Sequence, residues 1–92
     1  MSKSHKMKQN DLSTQTQGDL LREFRSRHGF TQMDLAEMLG YETPQFISNI
    51  EIGKAKIPLS VAKRLIPLGL NTSALKSIYL RDYKKKLERK LR

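Results

Sequence analysis

Residues 31–53 contain two helix-forming segments separated by a short turn, and this arrangement constrains the fold more than any other part of the chain. Thr31 and Thr43 can each cap a helix start, because a threonine oxygen accepts a hydrogen bond from an amide of the first turn. Pro44 suits the first helical position, where no backbone donor is needed. Gly40 can adopt the positive φ that ends a helix. The pattern therefore predicts two short helices joined by a tight glycine turn.

Apolar residues at helical spacing predict a further helix before this pair. Asp19 is expected to cap it, and the helix is expected to run to about Arg27 and to end at Gly29. The second and third helices are expected to cover about residues 32–39 and 44–52.

The remainder of the chain contains signals for two more helices. Pro58 is expected to open a fourth helix, which Pro67 and Gly69 end. Asn71 or Thr72 is then expected to cap a fifth. The sequence therefore predicts an all-α fold.

Length and composition exclude several classes of protein. A chain of 92 residues allows one domain with a modest core, and no segment is apolar for long enough to span a membrane. Cysteine is absent, and His5 and His28 have no second ligand nearby, so we expect no metal and no cofactor. No nucleophile with a base partner, paired carboxylate site or glycine-rich phosphate loop indicates an enzyme. We expect a cytoplasmic protein without catalytic activity.

The charge of the chain points to a polyanionic partner. Eighteen Lys and Arg residues against nine Asp and Glu residues give a formal net charge of +9, which raises the local concentration of nucleic acid around the protein. RNA is the weaker interpretation, because the aromatic residues fall mostly on apolar stripes and form no obvious platform for base stacking.

Residues 1–17 are polar and basic, and Met7 and Leu12 are their only sizeable apolar side chains. Such a segment cannot bury enough surface to offset its ordering entropy, so we expect a flexible arm. Two interpretations remain open: a disordered leader, or an arm whose lysines contact DNA phosphates. Those lysines are Lys3, Lys6 and Lys8.

The third predicted helix has a polar face formed by Gln45, Ser48 and Asn49. Short polar side chains near a helix start can reach base edges in the major groove, where glutamine and asparagine pair well with adenine. The alternative is that these residues are only the solvated face of an amphipathic helix.

A wider pattern surrounds this face. Its positions are Leu21, Arg22, Arg25, Gly29, Thr31, Gln32, Leu35, Ala36, Leu39, Gly40, Phe46, Ile47, Ser48, Ile50, Glu51, Gly53 and Lys54. The pattern covers about half of the chain and resembles the Cro and phage-repressor type of helix-turn-helix protein, also called the XRE family. In one departure, Gly40 to Ile47 spans seven residues where the family usually has six, so Tyr41 and Glu42 lengthen the turn.

The resemblance implies a compact five-helix bundle that binds double-stranded operator DNA, usually as a homodimer, in a bacterium or phage. Implied base-reading residues are Gln45, Ser48, Asn49 and Pro44. Implied DNA-backbone contacts are Gln32, Thr43, Lys54 and Lys56. Arg25 and Glu51 are the implied internal ion pair. The corresponding division is an arm (residues 1–17), a DNA-binding domain (18–70) and a C-terminal basic amphipathic helix (71–92).

The fifth predicted helix carries two apolar stripes. One stripe should pack on the domain, and the other consists of Leu80, Tyr83, Leu87 and Leu91 at spacings that suit a contact between helices. We call this second stripe the C-terminal seam and expect it to contact either a second copy or a protein partner.

The sequence thus favours a sequence-specific DNA-binding transcriptional regulator, a repressor that occupies a palindromic operator as a homodimer. One alternative is the antitoxin of a toxin-antitoxin pair, which would repress its own operon and hold the toxin through the C-terminal seam. Another is an interaction adaptor with the same fold, although an adaptor has no need of the +9 charge.

Overall fold

The computed structural model of the chain describes residues 15–91. The helices are α1 (Gln17–His28), α2 (Gln32–Met38), α3 (Gln45–Glu51), α4 (Leu59–Leu65) and α5 (Thr72–Lys90), with a 3₁₀ turn at Ile66–Leu68. Within the described residues, the predicted all-α architecture of five helices is confirmed. Most of the predicted arm, including the three lysines assigned to phosphate contacts, lies outside the described residues. Among residues 15–91, no helix is both long enough and apolar enough to cross a bilayer.

Helix α1 begins three residues earlier than predicted, because its N-cap is Thr16 and not Asp19. Thr16 is the N-cap: its hydroxyl accepts from the Asp19 amide at 3.0 Å, while the Asp19 carboxylate accepts from the Thr16 amide at 3.1 Å. This reciprocal capping box satisfies two amides at once, which a cap at Asp19 cannot do. The side chain of Gln17 is also part of the folded structure, because its Oε1 accepts from the buried Ile57 amide at 2.7 Å.

One hydrophobic core joins all five helices. Its fully buried large side chains are Phe24, Leu20, Leu21, Leu35, Ile47, Ile50, Leu65 and Ile78. Burying a side chain of this size contributes about 1.5–3 kcal/mol relative to leaving it exposed. The core extends beyond residue 70, since Ala74, Leu75 and Ile78 of α5 are buried and the Tyr79 hydroxyl donates to the Ile57 carbonyl at 2.7 Å. The first turns of α5 therefore pack as part of the domain.

The turn between α2 and α3 is closed by backbone hydrogen bonds and by a side chain from α4. Gly40 has a φ of 90°, and the amides of Gly40 and Tyr41 donate to the carbonyls of the last turn of α2. The Arg64 guanidinium donates to the two carbonyls that follow, Met38 at 2.7 Å and Leu39 at 3.1 Å. Arg64 thus fixes the end of α2 against α4.

Helix α3 begins at Gln45, one residue later than predicted. Pro44 is the N-cap residue instead of the first helical residue, and no side chain caps the helix. The Thr43 hydroxyl is 3.4 Å from the Gln45 amide, too far for a strong hydrogen bond, so Thr43 is not the cap that the sequence suggested. The Tyr41 ring packs against Phe46 with centroids 4.6 Å apart, which accommodates the longer turn.

The opposite end of α3 lies against the start of α1. A Cβ added to Gly18 would overlap the Ile50 carbonyl oxygen and lie only 2.6 Å from that of Glu51. Only glycine therefore allows α1 to approach α3 so closely at this point. The end of α3 is therefore packed directly against the start of α1.

Candidate DNA-binding surface

Helix α3 has one buried face and one accessible face. Ile47, Ile50 and Glu51 are buried in the domain. Gln45 is exposed, and Ser48 and Asn49 are half-buried on the accessible side. The spacing of these three residues places them on one side of a helix, where short polar groups can reach base edges.

The accessible face also includes Ile52, which the sequence analysis did not assign to it. Ile52 follows Gln45 by seven residues, two helical turns, and 60% of its surface is exposed. The i, i+3, i+4, i+7 spacing from Gln45 was the available signal for it. An exposed apolar side chain here is chemically suited to contact a thymine methyl group.

Gln45 and Asn49 are hydrogen-bonded to each other. The Gln45 Nε2 donates to the Asn49 Oδ1 at 2.9 Å across one turn of α3. The Asn49 carbonyl also accepts the amides of Lys54 at 2.8 Å and Ala55 at 3.1 Å, so the following loop folds back on α3. Both the side chain and the backbone of Asn49 are therefore held in place.

A buried ion pair ties α3 to α1. The Glu51 carboxylate accepts from Arg25 through Nε at 2.7 Å and Nη2 at 3.0 Å, a bidentate geometry. The Glu51 side chain is 2% exposed and that of Arg25 is 20% exposed. Arg25 Nη1 also donates to the Phe30 carbonyl at 3.1 Å, which links the pair to the residue before α2.

The protonation of Glu51 is controlled by opposing effects. Burial raises the pKa of the Glu51 carboxyl, but the hydrogen bonds from Arg25 and Gln32 and the charges of Arg25 and Arg22 lower it. The pKa therefore lies below its ordinary value. The hydrogen bond to Glu51 correspondingly raises the pKa of the Arg25 guanidinium, despite its partial burial. Both groups are charged at neutral pH.

Arg22 is a further member of this network that the sequence analysis did not assign a role. Its Nη2 donates to the Glu51 main-chain carbonyl at 3.0 Å, its Nε lies 3.7 Å from Glu51 Oε1, and its Nη1 lies 3.5 Å from Asp19. Arg22 therefore satisfies a carbonyl at the end of α3. Its place three residues before Arg25, on the same side of α1, was the available signal.

Gln32 occupies the first position of α2, and its side chain joins the ion pair. Its Nε2 donates to Glu51 Oε1 at 3.0 Å. Because an amide nitrogen carries two hydrogens, one donor remains for a phosphate oxygen. The structure thus gives Gln32 a contact within the protein, and its contact with DNA stays a prediction.

Three of the four residues assigned to the DNA backbone lie near the ends of α3. Lys54 and Lys56 are exposed in the loop that folds back on the end of the helix, and Thr43 is exposed just before its start. Pro44, which was assigned to base reading, is half-buried at the N-cap. The structure therefore brings polar and cationic groups together around the accessible face of α3.

The C-terminal seam is open to solvent. Its four side chains have exposed fractions between 41% and 76%. The base of this projecting part of α5 is held by Gln17, whose Nε2 donates to Asp82 at 3.1 Å, and by Arg81, which donates to the Gln15 carbonyl at 2.7 Å.

The helix-turn-helix family model matches residues 21–66, half of the chain. The comparison with curated proteins and the comparison with solved structures gave no significant match. The matched range begins within α1, contains α2, α3 and α4, and ends at the start of the 3₁₀ turn. It thus includes the turn, the accessible face of α3 and the ion pair that holds it. The chain belongs to the XRE-type helix-turn-helix family of DNA-binding transcription regulators.

Proposed function

We propose that this protein is a repressor that binds a palindromic DNA operator in a sequence-specific manner as a homodimer. The observation that supports this proposal best is the accessible face of α3, where Gln45, Ser48 and Asn49 lie beside the cationic loop. A repressor of this kind acts by occupying a promoter, which needs no catalytic site.

The proposal divides the surface into two kinds of contact. Gln45, Ser48 and Asn49, with Pro44 at the helix start, read base edges. The backbone contacts come from Gln32, Thr43, Lys54 and Lys56. Base contacts discriminate between sequences, whereas phosphate contacts act on every sequence alike and make binding depend on salt.

A palindromic operator suits a protein with two-fold symmetry, and homodimerisation through the C-terminal seam would provide that symmetry. Two-fold pairing places the same surface on two chains, and recognition helices about 34 Å apart can enter successive major grooves of a palindrome. The seam is exposed along its whole length in the single chain. Pairing would cover an apolar stripe that otherwise contacts water.

Repulsion between the positive charges of two α5 helices opposes this pairing, so the pairing should depend on salt. Between Leu80 and Leu91 there are six cationic side chains and only two carboxylates, and one carboxylate, Asp82, is already bonded to Gln17. Salt screens such repulsion, since the Debye length falls to about 8 Å at physiological ionic strength. Self-association should therefore strengthen as salt rises, while DNA binding weakens.

The same charge favours one second candidate, an antitoxin whose C-terminal seam holds an acidic toxin. Lys84 and Lys90 border the seam on its two sides and would oppose each other in a self-pair, but they would attract carboxylates of a partner. In that case the chain would still repress an operon through α3. An interaction adaptor without DNA binding has no comparable support, because the surface around α3 is cationic.

Sedimentation of the full chain at micromolar concentration separates these candidates. We expect a dimer whose population grows between low and physiological salt, and a monomer for Tyr83→Ser/Leu87→Ser. Lys85→Ser, on the opposite side of α5, is the matched control and should leave the dimer intact. A wild-type monomer at every salt concentration, with undiminished binding to half an operator, would reject self-pairing and favour the partner.

DNA binding itself is tested by selecting bound duplexes from a random pool. The proposal predicts enrichment of a palindrome whose half-sites have centres about one helical turn apart. Recovery of unselected sequences would contradict sequence-specific binding, and recovery of single half-sites would contradict the homodimer.

A further inference from the structure

The hydrogen bond between Gln45 and Asn49 has a consequence for the base that this helix can read. A free glutamine or asparagine amide turns about its terminal bond, so its donor and acceptor sample many directions. In this structure the Gln45 Nε2 and the Asn49 Oδ1 are 2.9 Å apart, which fixes each amide relative to the other. Part of the ordering that DNA binding requires is therefore already present in the free protein.

The hydrogen bond from Gln45 leaves a defined donor and a defined acceptor on Asn49 for DNA. Asn49 Oδ1 uses one lone pair to accept from Gln45 and keeps the second, while Asn49 Nδ2 keeps its donor hydrogens. One acceptor and one donor thus remain side by side on the Asn49 amide. The reverse arrangement, in which Asn49 donates to Gln45, leaves the same two kinds of group on Asn49.

Only one base matches this pattern through two hydrogen bonds. In the major groove adenine presents the N7 acceptor beside the N6 amino donor, whereas guanine presents two acceptors. Cytosine presents a donor and thymine a single acceptor with a methyl group. An amide with an adjacent donor and acceptor therefore pairs fully with adenine alone.

Asn49 is better placed than Gln45 to be the reading residue. It lies in the middle of α3, is half-buried, and has one fewer rotatable bond. Its main-chain carbonyl is held by the amides of Lys54 and Ala55. Gln45 lies at the first position of the helix, is exposed, and can reach Asn49 across one turn.

We propose that Gln45 orients the Asn49 amide, and that Asn49 then reads one adenine in each operator half-site through two hydrogen bonds. Within this pair Asn49 reads the base, and Gln45, which the proposed function counts among the base-reading residues, acts instead as a positioning residue. This inference rests on the proposed sequence-specific binding of DNA and names the base that it requires.

The test begins with the full chain and a selected duplex. Sites are selected from a random pool, and the affinity of the best site is measured after each of its base pairs is replaced in turn. Four variants are compared with the wild type at constant salt: Asn49→Ala, Gln45→Met, the double variant, and Glu37→Ala. Glu37→Ala is the control, because Glu37 is exposed on α2 and belongs to none of the assigned DNA contacts.

Replacing the critical adenine should weaken wild-type binding by about 5- to 150-fold, the range for a good two-bond contact. Asn49→Ala and Gln45→Met should both lose the preference at this same base pair, and the double variant should be no weaker than Asn49→Ala. Glu37→Ala should keep the preference. A substitution that only destabilised the domain would weaken binding at every base pair alike.

Modified bases locate the two hydrogen bonds. Replacing the adenine with 7-deazaadenine removes the N7 acceptor, and replacing it with purine removes the N6 amino donor. Each change should weaken wild-type binding several-fold and leave Asn49→Ala unaffected.

The possible failures are distinguishable. If the wild type selects no sequence at all, the proposed function is wrong. If it selects a site but the position that responds to Asn49→Ala is not adenine, only the present inference is overturned. If Gln45→Met lost the preference at a different base pair, the inference would also be overturned, because Gln45 would then read DNA by itself.

Discussion

Replacing Arg25 with alanine removes the main cation that neutralises the buried Glu51 carboxylate. Removing one partner of a buried ion pair typically costs about 3–5 kcal/mol, because the remaining charge stays in a place that water cannot reach. The cost should depend on which partner remains. In Arg25→Ala the remaining group is the Glu51 carboxylate, whose side chain is 2% exposed, whereas in Glu51→Ala it is the Arg25 guanidinium, which is 20% exposed.

We therefore expect Arg25→Ala to cost about 4–5 kcal/mol and Glu51→Ala about 3 kcal/mol, within the range for breaking a buried pair. Two contacts moderate the first value, since Gln32 still donates to Glu51 and Arg22 lies 3.7 Å away. The Arg22 side chain is 49% exposed, so solvent screens much of its contribution. A domain of this kind has a total stability of only about 5–15 kcal/mol, so either change is large.

Urea unfolding of the full chain, followed by circular dichroism, measures both costs. Glu37→Ala is the matched control: it removes an exposed glutamate from α2 and should change stability by less than about 0.5 kcal/mol. The double variant should lose less than the sum of the two single losses, because neither charge is then left alone. The reasoning is refuted if Arg25→Ala leaves the midpoint unchanged, or if Glu51→Ala is more damaging than Arg25→Ala.

Three further predictions concern Lys54, Gly18 and Glu51. Lys54→Ala should weaken binding to selected and random DNA alike. Measured by fluorescence anisotropy, the slope of log affinity against log salt should fall by about one unit. An unchanged slope would show that Lys54 does not contact a phosphate. Gly18→Ala should destabilise the domain by about 1–3 kcal/mol in urea, because its Cβ would overlap backbone at the end of α3; a gain in stability, normal for such a change within a helix, would contradict this packing. Because the folded-state pKa of Glu51 is lowered, its contribution to stability is present above its ordinary pKa of 4.5 and is lost as the pH falls through the folded value. The pKa of Asp34, in the first turn of α2, is also lowered. Glu51→Ala should therefore lose less stability in acid than the wild type, but it should still lose some.

Local signals were sufficient to predict the number and the order of the helices. Helical periodicity and turn glycines predicted five helices, because each signal acts through hydrogen bonds within a few residues. Thr31 and Asn71 are N-caps, as predicted. The starts of α1 and α3 were predicted less well, since two local candidates compete at each. Thr16 caps α1 in a reciprocal arrangement with Asp19, and Pro44 occupies the cap of α3.

The contacts that position α3 were less accessible from sequence. Arg64 bonds to the end of α2 from a position 25 residues away, and Gln17 bonds to Ile57 across 40 residues. Such bonds form only when the helices pack against each other, so the spacing of apolar residues in the sequence does not predict them. Gly18 was missed for the same reason, since its role is visible only when α3 lies against it.

The central claim is that the accessible face of α3 recognises a DNA sequence. The most direct measurement is the affinity ratio between the selected palindrome and a random duplex of equal length, at physiological salt, for the wild type and Asn49→Ala. We predict a ratio of about 10³ or more for the wild type, as for specific DNA-binding proteins generally. Asn49→Ala should reduce this ratio by about 5- to 150-fold while binding to random DNA stays unchanged. A wild-type ratio near one, or an equal loss on both duplexes in Asn49→Ala, would contradict the claim.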